Sequence, residues 1–258
     1  MLLALPLTAA ASRELVVPVV GHSVSGDGRV FDSRVSLINT SGDEAAVVLR
    51  FLRAGEVNAH PFTSTLRVPP HATRTLSADA SLLGAPNAIG ALLVDADREM
   101  TATVDLTGGE LSGLPRELAV GTGQTALLDH LSTGDPQEVR TKLYVVETRG
   151  DPLYFAIDLV ATDGRKLAST RTYLSGRQQL TTDLAQLVPA VPRDARVAIR
   201  GINGSGRIVA AAWQSTRRGE TAAFDMAPPE HARMRMRWSE RLAYAAVAFA
   251  IVVFALRR

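Results

Sequence analysis

The 258-residue sequence contains no cysteine, which excludes disulfides, thiolate metal sites and cysteine nucleophiles. That absence leaves the compartment open, because an exported domain of ~100 residues can be held by its core alone. Aromatic residues make up only 5% of the chain, so few side chains are available for stacking on sugars or bases. The five histidines, His22, His60, His71, His130 and His231, form no i, i+3 or i, i+4 pair. They read as surface loop residues, with no helical metal motif. A one-signed charge excess is missing as well. Residues 231–258 hold six arginines against Glu240, and since the whole chain carries +2, residues 1–230 carry −3. A slightly acidic body without a Lys/Arg stripe argues against nucleic acid as a partner.

Long hydrophobic runs are scarce, and the exception governs the reading. From Leu242 to Leu256 there is no charged residue; the run is entered through Trp238-Ser239-Glu240-Arg241 and closed by Arg257-Arg258. As a helix it spans roughly 22 Å, short of a ~30 Å hydrocarbon core. Snorkelling of Arg241 and Arg257, an interfacial Trp238 and local thinning make up the difference. We expect a transmembrane helix over 242–256, with Trp238, Arg241, Leu242, Phe249, Ile251, Phe254, Leu256, Arg257 and Arg258 as anchor residues. The alternative is a buried C-terminal helix of a soluble domain. At the other end, residues 1–11 have the apolar run and small-residue close of a secretory signal, with a cut after Ala11, but no positively charged start.

Between these ends the texture is that of short strands. Glu14–Val20, Val30–Ile38, Ala45–Leu52, Ser64–Val68, Thr73–Leu76, Ile89–Val94 and Met100–Leu106 are rich in Val, Leu, Ile and Thr and are separated by turn residues. Alternation predicts Val47, Leu49 and Phe51 on one face with Arg50 on the other. It also predicts Met100, Ala102, Val104 and Leu106 inward, with Thr101, Thr103 and Asp105 outward.

The second half repeats the first. Asn39-Thr40-Ser41-Gly42-Asp43 is echoed by Glu147-Thr148-Arg149-Gly150-Asp151, and the offset carries Val47, Leu49 and Phe51 onto Phe155, Ile157 and Leu159. Ser64-Thr65 matches Ser169-Thr170, while Asp79 and Asp183 each precede a short Leu-rich segment and are expected to cap one-turn helices. The final strands, Ala88–Val94 with Met100–Leu106 and Ala195–Gly201 with Arg207–Gln214, also correspond. A repeat of this length fits tandem domains better than a solenoid. We therefore expect an all-β chain. It comprises two antiparallel β-sandwich domains at 14–107 and 117–226, a linker at 108–116, a basic Pro-containing stalk at 227–241 and the helix at 242–256.

With the repeat in view, the chain resembles the tandem immunoglobulin-like or fibronectin-like modules of bacterial exported, membrane-anchored surface proteins. The resemblance rests on the openings Glu14-Leu-Val-Val-Pro18 and Glu117-Leu-Ala-Val120, the two matched turns and the paired final strands. It lacks the antibody Cys…Trp…Cys signature. It implies spacer, adhesion or assembly roles and no catalytic residue.

Candidate chemistry is thin. Gly21-His22-Ser23-Val24-Ser25 approaches the G-x-S-x-G nucleophile elbow but has Ser25 in place of the second glycine and a turn, Gly26-Asp27-Gly28, where a helix is needed. Acidic turns at Asp27, Asp43, Asp95-Asp97 and Asp151 lack the spacing of a calcium loop. Arg149-Gly150-Asp151 matches an adhesion tripeptide, and Asn39-Thr-Ser and Asn203-Gly-Ser match the glycosylation sequon; each is already explained as a turn. Gly201–Gly206 reads as a hairpin tip and Trp213 as a core or sheet-face residue. We expect no enzymatic activity, cofactor, metal or small-molecule substrate. The expected partners are the bilayer, through the C-terminal helix, and a protein of the envelope, with the body periplasmic or extracellular. The arginines ahead of the apolar run favour the opposite topology, a tail-anchored cytoplasmic adaptor. The remaining alternative is an envelope serine hydrolase using Ser23.

Overall fold

The structure, a computed structural model, describes residues 12–24, 30–106, 109–131, 139–161, 163–187, 195–216 and 221–225. It is all-β, built from antiparallel sheets with two one-turn helices. The anchor residues Trp238 to Arg258, the stalk, the signal segment, Asp27 and His231 lie outside the described residues. Among those that are described, no helix is long and apolar enough to cross a membrane.

The first half contains β1 (Ser12–Val24), β2 (Val30–Asn39), β3 (Ala45–Arg53), β4 (Phe62–Val68), β5 (Thr73–Ser77), α1 (Ala80–Leu83), β6 (Ala88–Leu106), β7 (Gly109–Ser112) and β8 (Leu114–Pro115). A 3-10 turn at Arg116–Leu118 leads to β9 (Thr125–Leu131), β10 (Val139–Glu147), β11 (Leu153–Val160), β12 (Lys166–Leu174), β13 (Gln179–Asp183), α2 (Leu184–Leu187), β14 (Ala195–Gly204), β15 (Ile208–Thr216) and β16 (Thr221–Asp225).

The pairing pattern is duplicated. In the second half one sheet has the order β12-β11-β14-β9 and the other β13-β10-β15-β16. In the first half, β4-β3-β6-β1 and β5-β2-β6-β7 reproduce these neighbours, with the front of β6 standing for β14 and its rear for β15. The two strands expected at Ile89–Val94 and Met100–Leu106 are thus one 19-residue strand. Its front pairs with β1 and β3, its rear with β2 and β7. The charged Asp95–Glu99 stretch reads as a turn in sequence, but side chains satisfy it where the strand crosses over. Asp97 accepts from Ala46 N at 2.8 Å, and Asp95 pairs with Arg50 and with Arg116 at 2.5 Å. Because β1 also pairs with β2 at His22–Val24, the sheet of the first half closes on itself.

Two further expectations shift. The stretch read as a linker carries β7 and β8, which pair with β6 and β1. The opening Glu117–Val120 does not repeat Glu14–Pro18: it forms the 3-10 turn and one bridge, Val120 to Ile208, and the place of β1 is taken by β9. The predicted inward residues are buried, Val47, Leu49, Phe51, Phe155, Ile157 and Leu159 among them. Thr101 is buried as well, because β6 is covered on both faces there. Asp79 and Asp183 cap their helices, accepting from Ser81 N at 2.9 Å and Ala185 N at 3.1 Å.

The two halves share one hydrophobic core. On sheet β13-β10-β15-β16, one face carries Gln179, Tyr144, Val146, Val209, Ala211 and Trp213, which the register places together. All six are buried, and β1 lies against β10 and β15. The opposite face, with Leu143, Val145, Ala210 and Ala212, is buried too. A sheet covered on both sides reads as a continuous apolar run, as Val145-Val146 and Val209–Ala212 do.

Candidate interaction surface

The most distinctive polar surface among the described residues is the outward face of the sheet β12-β11-β14-β9. Residues directly opposite in antiparallel pairs share a face, so the register lays out four rows across β12, β11 and β14. They are Tyr173–Tyr154–Asn203, Arg171–Ala156–Arg200, Ser169–Asp158–Ala198 and Lys166–Val160–Arg196. At ~4.8 Å between strands and ~6.8 Å per two residues, the grid measures about 10 by 20 Å. These three strands contain four cations and one acid, Asp158.

Asp158 is buried at the centre. The Ser169 hydroxyl donates to its Oδ1, Lys166 Nζ lies 3.0 Å from the same oxygen and Arg200 Nη2 lies 3.6 Å from Oδ2. Burial alone pushes this carboxyl's pKa up, but the hydroxyl and the two cations outweigh it and hold the pKa below its ordinary value. The acid therefore stays charged and fixes Lys166 and Arg200 in position. Arg171 has no acidic partner among the described residues, and Tyr154 and Tyr173 stay exposed beside it. Sequence reasoning missed this stripe, because Lys166 and Arg171 lie about thirty residues from Arg196 and Arg200 and meet only through the register of β11. The available signal was the scarcity of acids in the three strands.

A second polar centre joins the halves of the repeat. Asn39 and Glu147 hold the same place, at the ends of β2 and β10, and both are buried. Asn39 Nδ2 donates to the carbonyls of Asp43, Val68 and Pro69, and its Oδ1 accepts from Ser41 N at 2.9 Å. Glu147 accepts four backbone N–H bonds, from Arg149 at 2.8 Å, Gly150 at 2.7 Å, Arg177 at 2.8 Å and Arg207 at 3.1 Å. These bonds shape the Arg149-Gly150-Asp151 turn, which is exposed. Asn39 is too deeply engaged to accept a glycan, whereas Asn203 is exposed.

The other candidates separate. Ser23 pairs with Phe31, and His22 lies 3.3 Å from Asp32, but consecutive strand residues point to opposite faces, so that His–Asp pair is not brought to Ser23. His60 and His71 lie far apart in the chain, near β4 and before β5. Among the described residues no group of His, Asp or Glu is arranged to hold a metal. Asp43 lies 3.4 Å from Arg98, and Asp151 is exposed. Gly201 to Gly206 closes the β14–β15 hairpin. A side chain at Gly201 would sit 2.2 Å from the Gly121 carbonyl, so the glycine permits this close backbone approach. Trp213 is buried against the first half.

No protein-family description and no curated protein matches this chain. Among solved structures, Bacteroides uniformis beta-glucuronidase 2 bound covalently to cyclophellitol-6-carboxylate aziridine is similar at 9% identity and a TM-score of 0.19, covering 76% of this chain and 24% of its own. A calcium-binding mutant of that enzyme is similar at 8% identity and a TM-score of 0.17, covering 80% of this chain and 27% of its own. The chain thus spans about a quarter of the length of the structures it matches.

Proposed function

We propose that the chain is a non-enzymatic, membrane-tethered envelope protein that presents two immunoglobulin-like β-sandwich modules, locked into one body, for binding a protein partner. The observation that carries this reading is the buried joint between the halves. A tandem pair free to swivel needs no such joint, whereas a spacer or assembly part that must hold a surface at a set orientation does. Two pairings within each half, second strand with fifth and third with sixth, agree with the immunoglobulin arrangement; the last strand, paired with the second, departs from it. The apolar run 242–256 supplies the tether in this reading, and the arginines around it suit anionic headgroups.

The test is membrane fractionation with protease protection. The full chain should resist alkaline extraction from membranes, and a chain ending at residue 241 should be released. In intact spheroplasts the body should be digested from outside. Protection in spheroplasts supports the tail-anchored cytoplasmic adaptor, which the arginines preceding the run favour. Release of the full chain by alkali removes the tether altogether.

A further inference from the structure

We infer that the outward face of sheet β12-β11-β14-β9, together with the open edge of β12, docks an acidic, extended segment of a partner protein. This rests on the protein-binding reading above and names the surface and the chemistry of the partner. Among the described residues β12 pairs only with β11, so its outer edge offers a row of backbone donors and acceptors to an added strand. The side chains along that edge strand alternate outward as Lys166, Ser169, Arg171 and Tyr173, all exposed. A strand added there places its own outward side chains next to them, at cross-strand distance. Carboxylates at alternate positions meet Lys166 and Arg171, and an apolar or aromatic residue meets the Tyr154–Tyr173 pair. Tyrosine and arginine are the residue types that dominate protein-binding energetics.

Charge selects among occupants. A second copy brings the same positive face and is repelled, and the chain's own segment 231–241 carries four arginines against Glu240, so it is repelled too. Anionic lipids and nucleic acids match the charge but cannot use the backbone edge, which leaves an acidic peptide segment as the occupant that satisfies both features.

The experiment selects a display library of random twelve-residue peptides on the detergent-solubilised full chain. Enriched peptides should carry Asp or Glu at alternate positions and bind at least about tenfold more weakly to Arg171→Glu. Peptides with Lys at the matching position should regain binding to that variant, and Arg74→Glu on β5 should change nothing. On binding, the amides of β12 should gain protection from hydrogen exchange. Enrichment without acidic bias, binding indifferent to Arg171→Glu, or protection confined to another edge overturns the inference. So does binding of phosphatidylglycerol vesicles or an oligonucleotide that is lost in Arg171→Glu while no acidic peptide is retained. None of these outcomes bears on whether the chain is tethered, which the fractionation decides separately.

Discussion

Gln179 Nε2 donates to the carbonyl of Pro18 across 2.7 Å, joining residues 161 positions apart in a buried setting. The backbone carbonyl of the same glutamine accepts from Gly55 N at 3.2 Å. Around it, Asn58 Nδ2 donates to the Arg177 carbonyl at 2.9 Å, so three segments of the first half hold one turn of the second. Changing Gln179 to Leu should strand the Pro18 carbonyl and cost about 1–3 kcal/mol. Urea unfolding followed by Trp fluorescence and by far-UV circular dichroism should remain one coincident transition, because the core is shared. Two separated transitions in the unmutated protein refute the single-body description.

Glu147→Gln replaces one carboxylate oxygen with an amide that faces backbone N–H groups. Two of the four bonds then lose their acceptor, and a loss of about 3 kcal/mol or more is expected. Asn39→Asp is the mirror experiment, setting a carboxylate against three carbonyls, and should destabilise by a similar amount. Equilibrium denaturation of both variants checks this.

Asp158 makes a pH-dependent contribution. Its pKa is lower in the folded chain than the ordinary 3.8, so the unfolded chain takes up its proton first as pH falls. The stabilisation is complete above the unfolded value and disappears as pH drops through the folded one. The stability gap between the unmutated protein and Asp158→Asn should therefore be constant near neutrality and narrow below about pH 4. Thermal melts across pH 2–7 measure it.

At the alkaline end the controlling group is Tyr144, whose buried phenol has its pKa raised by burial from 10.0 to about 12. Between those values the unfolded chain releases a proton that the folded chain keeps, so stability should fall as pH rises through that window. Tyr144→Phe should abolish that share of the loss, and an absorbance titration at 295 nm should show one tyrosine lagging until the chain opens.

Much of the scaffold was legible in the sequence, because β3 and β11 alternate cleanly and because Asp79 and Asp183 are unambiguous caps. The joint was not. Leu15-Val16-Val17 and Val19-Val20 form a continuous apolar run, the mark of a strand covered on both sides, yet nothing in the sequence says that β10 and β15 are the cover. The continuity of β6 was hidden by the charged Asp95–Glu99 stretch, which reads as a turn when its partners Ala46, Arg50 and Arg116 are out of view. The cationic face was invisible for a related reason: a one-residue change in the register of β11 would send Asp158 inward and scatter Lys166, Arg171 and Arg200.

Since β1 borders strands as late as Thr216, a nascent chain cannot finish its amino-terminal half when that half leaves the ribosome. Until β15 has been synthesised, the valines of β1 remain uncovered on one side, an adhesive intermediate that invites a holdase or prompt export. A truncated product ending near Pro115 should for that reason precipitate rather than persist as a half-size protein.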